Sequence, residues 1–319
     1  MKPCISVVVP CYNEEEALPA VVQALQTQTD DLFTKEATLE LILVNDGSSD
    51  KTLSVMKELA SQYPWIIYLS FSRNFGKEAA MLAGLSYASG TYVTIMDADL
   101  QDPPSLLPEM FHLLDSGVCD SVAARRITRK GEPLLRSFFA RRFYTVISRL
   151  SQVEVADGAR DYRLMTRPVV DAVLSLAERN RFIKGIFGWV GFRTRWLEFE
   201  NQDRIAGETK WSFWGLLHYA IDGIVNFSEI PLSLASWLGF FLTILSLIAV
   251  LFIVIRRLLF GDPVAGWAST VCIITFIGGV QLFCLGIIGK YLAKTYVEVK
   301  QRPHYIIAET NRRLPKREG

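Results

Sequence analysis

The sequence predicts an α/β fold, with a mostly parallel sheet covered by helices on both faces, followed by two long apolar helices. Short apolar runs alternate with helix-like periodic segments from residue 1 to about residue 125, which is typical of such a sheet. Two later segments, 232–255 and 264–289, contain no charged residue. Hydrophobic residues make up 50% of the chain and the mean hydropathy is +0.23, values that are high for a soluble protein.

The elements of the first part follow from the spacing of apolar side chains and from the turn residues between them. The predicted strands cover 5–9, 39–44, 66–71, 92–96 and 120–124. The predicted helices cover 14–28, 77–88, 105–116 and a segment that starts at Ser49 or Asp50 and runs to Gln62. Because parallel strands end at one edge of a sheet, we expect the turns that follow them to converge.

Residues 126–231 are less regular, and two amphipathic helices are predicted within them. The helix at 138–150 interleaves aromatic and aliphatic residues with arginines, as a helix in a membrane interface does. A helix docked on the sheet with a solvated basic face is the alternative. The helix at 211–227 is rich in aromatic residues and leads into the first apolar segment, so we expect it in the headgroup layer.

The two charge-free segments are each long enough to cross a bilayer, which takes about 20 apolar residues. A Gly-Asp-Pro turn at 261–263 separates them, so we predict a transmembrane hairpin with both flanks on one side. Lysine and arginine are frequent after residue 289, whereas the link contains only two arginines, and this bias predicts cytoplasmic flanks. The expected domains are a cytoplasmic α/β domain at 1–210, a juxtamembrane helix at 211–231, the hairpin at 232–289 and a basic cytoplasmic tail at 290–319.

Composition disfavours two kinds of function. The formal net charge is +1, so no bulk attraction to nucleic acid is expected. The 5 cysteines are scattered and the 3 histidines do not cluster with them, so we do not expect a zinc site. Scattered cysteines are typical of a reducing compartment, and the first residues lack the pattern of a secretory signal.

The predicted strand at 92–96 leads into two acids, Asp97 and Asp99, that flank Ala98. Two hard carboxylate ligands this close suit Mg²⁺ or Mn²⁺, held jointly with the phosphates of a nucleotide. An acidic turn without a metal is the more frequent explanation of a lone Asp-x-Asp. The polar residues in the neighbouring turns favour the metal site over an ordinary acidic turn.

Polar residues also follow the three other strands of the predicted parallel core. Tyr12 could stack on a base and Glu14 could accept a hydrogen bond from a base or ribose, while Asp46, Asn74 and Lys77 lie in the next two turns. Each of these turns could be ordinary when taken alone. Their convergence at one edge of one sheet predicts a site for a nucleotide diphosphate.

Four motifs together resemble the family-2 glycosyltransferases of GT-A fold, a Rossmann-like architecture. The motifs are Val-Val-Val-Pro-Cys-Tyr-Asn-Glu-Glu at 7–15, Val-Asn-Asp-Gly-Ser-Ser-Asp-Lys-Thr at 44–52, Ser-Arg-Asn-Phe-Gly-Lys-Glu at 72–78 and Met-Asp-Ala-Asp-Leu-Gln-Asp-Pro-Pro at 96–104. More closely, the chain resembles the polyprenyl-phosphate branch, which includes the bactoprenol (undecaprenyl-phosphate) glucosyltransferases and dolichol-phosphate mannose synthase. The resemblance covers nearly the whole chain.

The resemblance implies roles for matching positions. The nucleotide-sugar would be bound by Pro10, Tyr12, Glu14, Asp46, Asn74, Lys77, Asp97 and Ala98, with Asp46 on the base. The metal ligands would be Asp97, Asp99 and Gln101. The acceptor phosphate would be bound by Arg125, Arg136, Arg204 and Lys210, the last two on a mobile loop. A structural or headgroup contact is an equal alternative for Arg136. The residues implied in catalysis are Asp161, Asp99, Arg204 and Lys210.

Asp161 matches the aspartate of the family motif Gly-Asp-Phe-Arg-Leu, although Arg160 replaces the glycine in this chain. The expected acceptor is a phosphate monoester whose second pKa is about 6, so it is largely ionised at neutral pH and hardly needs a general base. We therefore expect Asp161 to orient the acceptor or a sugar hydroxyl, with proton removal as the second choice. Asp157 is a nearby competitor for that role.

The resemblance implies an inverting transferase that moves a sugar, most directly glucose from UDP-glucose, to undecaprenyl or another polyprenyl phosphate. It implies Mg²⁺ or Mn²⁺ as cofactor and the cytoplasmic face of the bacterial inner membrane as location, with a multi-pass anchor. Membrane lipids, a second copy of the chain and a downstream flippase are the expected partners, and the product would supply lipopolysaccharide or another cell-envelope glycan.

Three alternatives remain open. The donor could carry mannose, GlcNAc, GalNAc or an aminoarabinose-type sugar. A processive polysaccharide synthase is disfavoured because a Gln-x-x-Arg-Trp motif is absent and two helices cannot enclose a polymer channel. A non-catalytic membrane scaffold is disfavoured by the intact Asp97, Asp99, Arg204 and Lys210.

Overall fold

The computed structural model describes residues 2–126, 159–176, 178–179, 181, 183–199, 230–260 and 266–312. The chain divides into two compact units, Met1–His218 with Arg302–Gly319, and Tyr219–Gln301. The predicted helices at 138–150 and 211–227 lie outside the described residues, as do Arg136, Asp157, Arg204 and Lys210.

One mixed sheet forms the centre of the first unit. Its strands are β1 (Cys4–Cys11), β2 (Thr38–Asn45), β3 (Ile66–Phe71), β4 (Tyr92–Ile95), β5 (Ser121–Arg126), β6 (Ala159–Thr166), β7 (Thr194–Phe199) and β8 (Ile307–Thr310). In the described part of the chain their order across the sheet is β7-β5-β6-β4-β1-β2-β3-β8. The core β4-β1-β2-β3 is parallel, whereas β6 runs antiparallel to β4 and β5, and β8 runs antiparallel to β3.

Helices cover both faces of this sheet, as predicted. The helices of the first unit are α1 (Ala17–Gln28), α2 (Thr52–Gln62), α3 (Lys77–Tyr87), α4 (Leu107–Asp115), α5 (Arg167–Ser175) and α6 (Ile183–Trp189). Side chains alternate across a strand, so Val7 and Val9 of β1 join a buried cluster with α1, α2 and α4. Val8 points to the opposite face, where α3 packs. The predicted α/β fold class is thus confirmed.

The predicted strands and helices of the first 125 residues are all present, with small differences at their ends. The first helix begins at Ala17 instead of residue 14, because Asn13 has a positive φ of 56° and the Glu14 N–H donates to Thr52 Oγ1 at 2.9 Å. Neither predicted cap of α2 occupies the N-cap position, which is Lys51, although Asp50 accepts the N–H of Thr52 at 3.0 Å. The apolar pattern did not predict β6, β7 or β8.

The second unit contains two long helices, α7 (Ile230–Phe260) and α8 (Trp267–Val299). They pack together, with the Cys284 thiol 3.8 Å from the carbonyl oxygen of Ala235. Among the residues that the structure describes, the segment Phe276–Val299 is long and apolar enough to cross a membrane, with a mean hydropathy of 1.6. Leu232–Leu242 is a shorter apolar stretch. The two-span hairpin therefore stays a prediction.

The chain returns to the first unit after α8. This C-terminal strap, residues 302–312, adds β8 to the edge of the sheet beside β3. Asn311 accepts the N–H of Tyr68 and donates to the carbonyl of Ile66, both at 3.0 Å. Arg312 donates to Glu40 at 2.7 Å, and Glu40 also accepts hydrogen bonds from Ser6 and Ser89. The first unit is consequently built from two separate parts of the chain.

Candidate active site

The carboxyl ends of β4, β1, β2 and β3 lie side by side because these four strands are parallel. Val8 of β1 pairs with Ile95 of β4, and Cys11 pairs with Asn45 of β2. The direction of strand order reverses between β1 and β4, and open α/β sheets bind their ligands in the crevice at such a point. The turns predicted to bind a nucleotide all leave the sheet at this edge.

Hydrogen bonds join the turn after β1 to the turn after β2. Asn13 Oδ1 accepts the N–H of Ser49 at 2.9 Å, and the Asn13 N–H donates to Ser48 Oγ at 2.9 Å. This pairing holds the backbone that carries Pro10, Tyr12 and Glu14. Tyr12 is 41% exposed, and its predicted stacking on a base stays a prediction.

Asp46 is buried and is bonded to the turn after β3. Its carboxylate oxygens accept the N–H groups of Phe75 at 2.7 Å and of Gly76 at 2.9 Å. Burial raises the pKa of Asp46, and these two backbone hydrogen bonds oppose that rise. The side chain therefore shapes the loop that carries Asn74 and Lys77, while its predicted contact with a base stays a prediction.

The antiparallel pairing of β6 with β4 brings Asp161 to the same edge. Arg163 of β6 pairs with Ile95 of β4, so Asp161 lies beside the residues that follow β4. Lys77, the first residue of α3, contacts both acids: its Nζ is 2.7 Å from Asp97 Oδ1 and 2.9 Å from Asp161 Oδ2. The predicted donor side and the predicted acceptor side thus meet at one ammonium group.

The charges of this triad shift its ionisation. Burial alone would lower the pKa of the Lys77 ammonium, but the negative charges of Asp161 and Asp97 outweigh it and raise that pKa. Burial alone would raise the pKa of Asp161, but Lys77 and Lys184 hold it well below the usual range of a carboxyl. Asp161 is therefore ionised at neutral pH, and it is a weak base.

The turn after β4 is held by hydrogen bonds and by one buried ion pair. Asp99 Oδ1 accepts the N–H of Gln101 at 3.1 Å. Asp102 is 1% exposed and pairs with Arg160 Nε at 2.7 Å. Burial raises the pKa of Asp102 to about 6, and the charge of Arg160 opposes that rise. Arg160, which replaces the glycine of the family motif, therefore balances the negative charge of Asp102, a buried acid next to the predicted metal ligands.

The sequence pattern missed two further residues of this region. Arg163 is 5% exposed, and its guanidinium lies 3.8 Å from the ring centroid of Phe187. Glu78, next to Lys77, accepts the N–H of Ile183 at 3.1 Å. Alternation along β6 was the available signal, because Asp161 and Arg163 share one face while Tyr162 and Leu164 are buried in the opposite one.

The other predicted residues are placed as follows. Asn74 is exposed and Ala98 is buried next to the acids. Arg125 lies on β5, which β6 separates from β4, and its Nη1 is 4.0 Å from Glu198. The structure thus brings Lys77, Asp97 and Asp161 into contact, and it does not bring Arg125 into that triad.

The residues present fit a divalent cation. Among the described residues no three His, Cys, Asp or Glu side chains are grouped to hold a metal unaided. Asp97, Asp99 and Gln101 offer hard oxygen atoms within one turn, a set that nucleotide phosphates would complete. Asp161 Oδ1 and Asp102 Oδ2 are buried nearby and have no hydrogen-bond partner within the described part of the chain. A position that already attracts the Lys77 ammonium favours positive charge.

Comparison with known proteins identifies the family. Glycosyl transferase family 2 matches residues 6–174. The chain is 42% identical to an uncharacterized glycosyltransferase of Synechocystis over 305 residues, covering 96% of this chain and 95% of the relative. It is 40% identical to a prophage-derived bactoprenol glucosyl transferase of Shigella flexneri over 311 residues, 98% of this chain and 99% of the relative.

Solved structures are more distant. Glucosyl-3-phosphoglycerate synthase of Mycobacterium tuberculosis, in complex with Mn²⁺ and UDP-glucose, is 18% identical with a TM-score of 0.48, covering 70% of this chain and 77% of that one.

The family match spans more than half of the chain, and the relatives align over nearly all of it. The chain therefore belongs to glycosyl transferase family 2 and is a glycosyltransferase of GT-A fold.

Proposed function

We propose that this protein is an inverting transferase that moves glucose from UDP-glucose to undecaprenyl phosphate, or to another polyprenyl phosphate, at the cytoplasmic face of a bacterial inner membrane. The observation that carries the proposal is the full-length similarity to a bactoprenol glucosyl transferase. The contact of Lys77 with both Asp97 and Asp161 supports it, because a transferase must bring a donor and an acceptor together at one point.

The proposed reaction is a single displacement. A phosphate oxygen of the acceptor forms a bond to the anomeric carbon of glucose, the bond from that carbon to the UDP oxygen breaks, and UDP leaves with the electron pair. Mg²⁺ or Mn²⁺, held by Asp97, Asp99 and Gln101, would neutralise the charge that grows on UDP. Asp161 orients the acceptor or a sugar hydroxyl, because its lowered pKa makes it a poor base.

The remaining sites are assigned as proposals. The turns that carry Pro10, Tyr12, Glu14, Asp46, Asn74, Lys77 and Ala98 bind the nucleotide-sugar. The acceptor phosphate is bound by Arg125, Arg136, Arg204 and Lys210. Self-association of the chain and a downstream flippase also stay predictions.

Transfer can be measured with the purified full-length protein, radiolabelled UDP-glucose, undecaprenyl phosphate and Mg²⁺ or Mn²⁺. We expect a lipid-linked sugar that forms only with a divalent cation. Asp97→Asn should lower the rate by about 100-fold or more, since it removes charge stabilisation at the leaving group. Asp31→Asn is the matched control, because Asp31 lies on the surface in an ion pair with Lys35.

The same assay with other UDP-sugars tests the donor. A faster reaction with UDP-N-acetylglucosamine or UDP-N-acetylgalactosamine would replace glucose in the proposal. No lipid-linked product with any common UDP-sugar, with cation supplied, would refute the transfer to polyprenyl phosphate.

The pH profile of Asp161→Asn tests the role of this acid. If Asp161 orients a substrate, the variant should be slower but should keep the fall in rate below pH ~6, because that limb reports ionisation of the acceptor phosphate. A wild-type rate that stays level through pH ~6, with a fall that appears only in the variant, would show instead that Asp161 removes the proton of the acceptor monoanion.

We also propose that α7 and α8 cross the membrane as a hairpin. Leu282, Phe283 and Leu285 of α8 are 61–72% exposed, as expected for side chains in contact with lipid. Alkaline phosphatase fused at the Gly-Asp-Pro turn of 261–263 should be active in the periplasm, whereas a fusion after residue 319 should be inactive. Equal activity of the two fusions would contradict the hairpin.

A further inference from the structure

Lys77 is an unusual residue to find at its position. It is the first residue of α3, where the positive end of the helix dipole disfavours a cation. Gly76 before it has a φ of 98°, so the chain adopts a conformation suited to glycine in order to place the lysine there. Two carboxylates compensate the ammonium: Asp97, in the turn after β4, at 2.7 Å, and Asp161, on β6, at 2.9 Å.

The two partners of Lys77 differ in their surroundings. The Asp161 side chain is 14% exposed, and one of its oxygens is buried with no hydrogen-bond partner among the residues that the structure describes. The Asp97 side chain is 24% exposed. The Lys77 side chain is 45% exposed. Another cation can replace the Lys77 ammonium at Asp97 at a lower cost in desolvation free energy than at Asp161. The reason is that the Asp97 side chain is the more exposed to solvent of the two.

We propose that Lys77 acts as a built-in counter-ion of Asp97 that a divalent cation must displace, and that the nucleotide diphosphate makes this displacement favourable. The inference rests on the cation site of the proposed function. A cation on Asp97 repels the ammonium, and Asp161 keeps the lysine near the site. The pyrophosphate then supplies the ammonium with a new anionic partner.

This arrangement makes cation and nucleotide binding cooperative. Without nucleotide, the cation competes with Lys77 and binds weakly. With nucleotide, the competitor has another partner and the cation binds more tightly. Linkage requires that the cation tightens nucleotide binding by the same factor. Lys77 is thus a positioning residue that discourages occupancy of the site by the cation alone.

The test is a titration of the purified full-length protein with Mn²⁺, followed by electron paramagnetic resonance, with and without UDP. Lys77→Met should bind Mn²⁺ alone about tenfold more tightly than the wild type. The factor by which UDP tightens Mn²⁺ binding should fall by about the same amount, and Lys77→Arg should keep the wild-type pattern. Lys35→Met, which removes a surface lysine paired with Asp31, is the matched control.

Two results separate the failure of this inference from the failure of the proposed function. Equal Mn²⁺ affinities of wild type and Lys77→Met, in both the absence and the presence of UDP, would overturn the role of Lys77 and leave the cation site intact. No binding of Mn²⁺ to the wild type with UDP would refute the cation site itself. If Lys77→Met does not fold, Lys77→Gln replaces it, because glutamine is neutral and can still donate to a carboxylate.

Discussion

Glu78 shows how strongly the site constrains a single side chain. It is the second residue of α3, and its carboxylate accepts the N–H of Ile183 at 3.1 Å. Burial, and then the negative charge of Asp161, raise its pKa to about 7 from an ordinary value of 4.5. The hydrogen bond from Ile183 and the charges of Lys77 and Arg181 only partly oppose this rise. The fold therefore favours the neutral form of Glu78 more strongly than water does.

Glu78→Gln should stabilise the protein in a pH-dependent manner. The folded pKa lies above the unfolded one, so the cost of the carboxylate is fully present above about pH 7 and disappears below about pH 4.5. The free energy of unfolding should rise by on the order of 1–3 kcal/mol at pH 8 and be unchanged at pH 4.5. Thermal unfolding at several pH values measures this.

Glu16→Gln is the control for that series, since Glu16 is an exposed carboxylate before α1. It should follow the wild type at every pH. A Glu78→Gln variant that is no more stable than the wild type at pH 8 would show that the Glu78 charge is well accommodated in the fold.

At the scale of elements, α3 connects the core to the site. Gly84 lies in its third turn, and a Cβ added there would overlap the side chain of Val8 in β1. The absence of a side chain lets the helix approach the sheet closely. Because Lys77 begins the same helix, the distance between α3 and β1 determines where its ammonium lies relative to Asp97.

Gly84→Ala should therefore destabilise the fold although alanine favours helices. Overpacking costs about 1–3 kcal/mol, whereas the gain in helix propensity is at most about 1 kcal/mol. The midpoint of thermal unfolding should fall by several degrees. Gly278→Ala in α8 is the matched control, since an added Cβ there meets nothing within 4 Å. Equal midpoints of Gly84→Ala and wild type would contradict this account of the packing.

At the scale of the whole molecule, the C-terminal strap closes the catalytic unit. The strap reaches Glu40, which is 9% exposed, and Arg312 of the strap donates a hydrogen bond to the Glu40 carboxylate. Lys57 and the Tyr68 hydroxyl bind Glu309 of the strap at 2.6 Å and 3.0 Å. The ring of Phe71 stacks on Tyr305, with centroids 5.1 Å apart. The strap thus covers an edge strand that would otherwise expose its backbone.

Arg312→Ala should lower the stability of the catalytic unit, because it leaves a buried carboxylate without its ionic partner. We expect a loss of about 2–3 kcal/mol, less than for a fully buried pair because the Arg312 side chain is 34% exposed. Thermal unfolding and resistance to proteolysis measure the loss. Arg302→Ala, an exposed arginine at the start of the strap, should behave as the wild type. An unaffected Arg312→Ala variant would show that β8 pairing alone holds the strap.

Local sequence patterns alone predict many of the strands, helices and site residues of this protein. The alternation of strands and helices over the first 125 residues and the acids after β4 depend on neighbours within a few positions, and both were predictable. The missed strands depend on distant partners. β6 carries Asp161 and Arg163 on one face, which breaks an apolar pattern, and the four residues of β8, Ile-Ala-Glu-Thr, do not form an apolar run.

Only the tertiary structure decided how the candidate site is assembled. Lys77 and Asp161 are 84 positions apart, and Arg312 and Glu40 are 272 apart. Such pairs form because the antiparallel pairings of β6 and β8 return the chain to the parallel core. A sequence pattern records which charges exist, but their energies depend on burial and distance, which arise only when the sheet is formed.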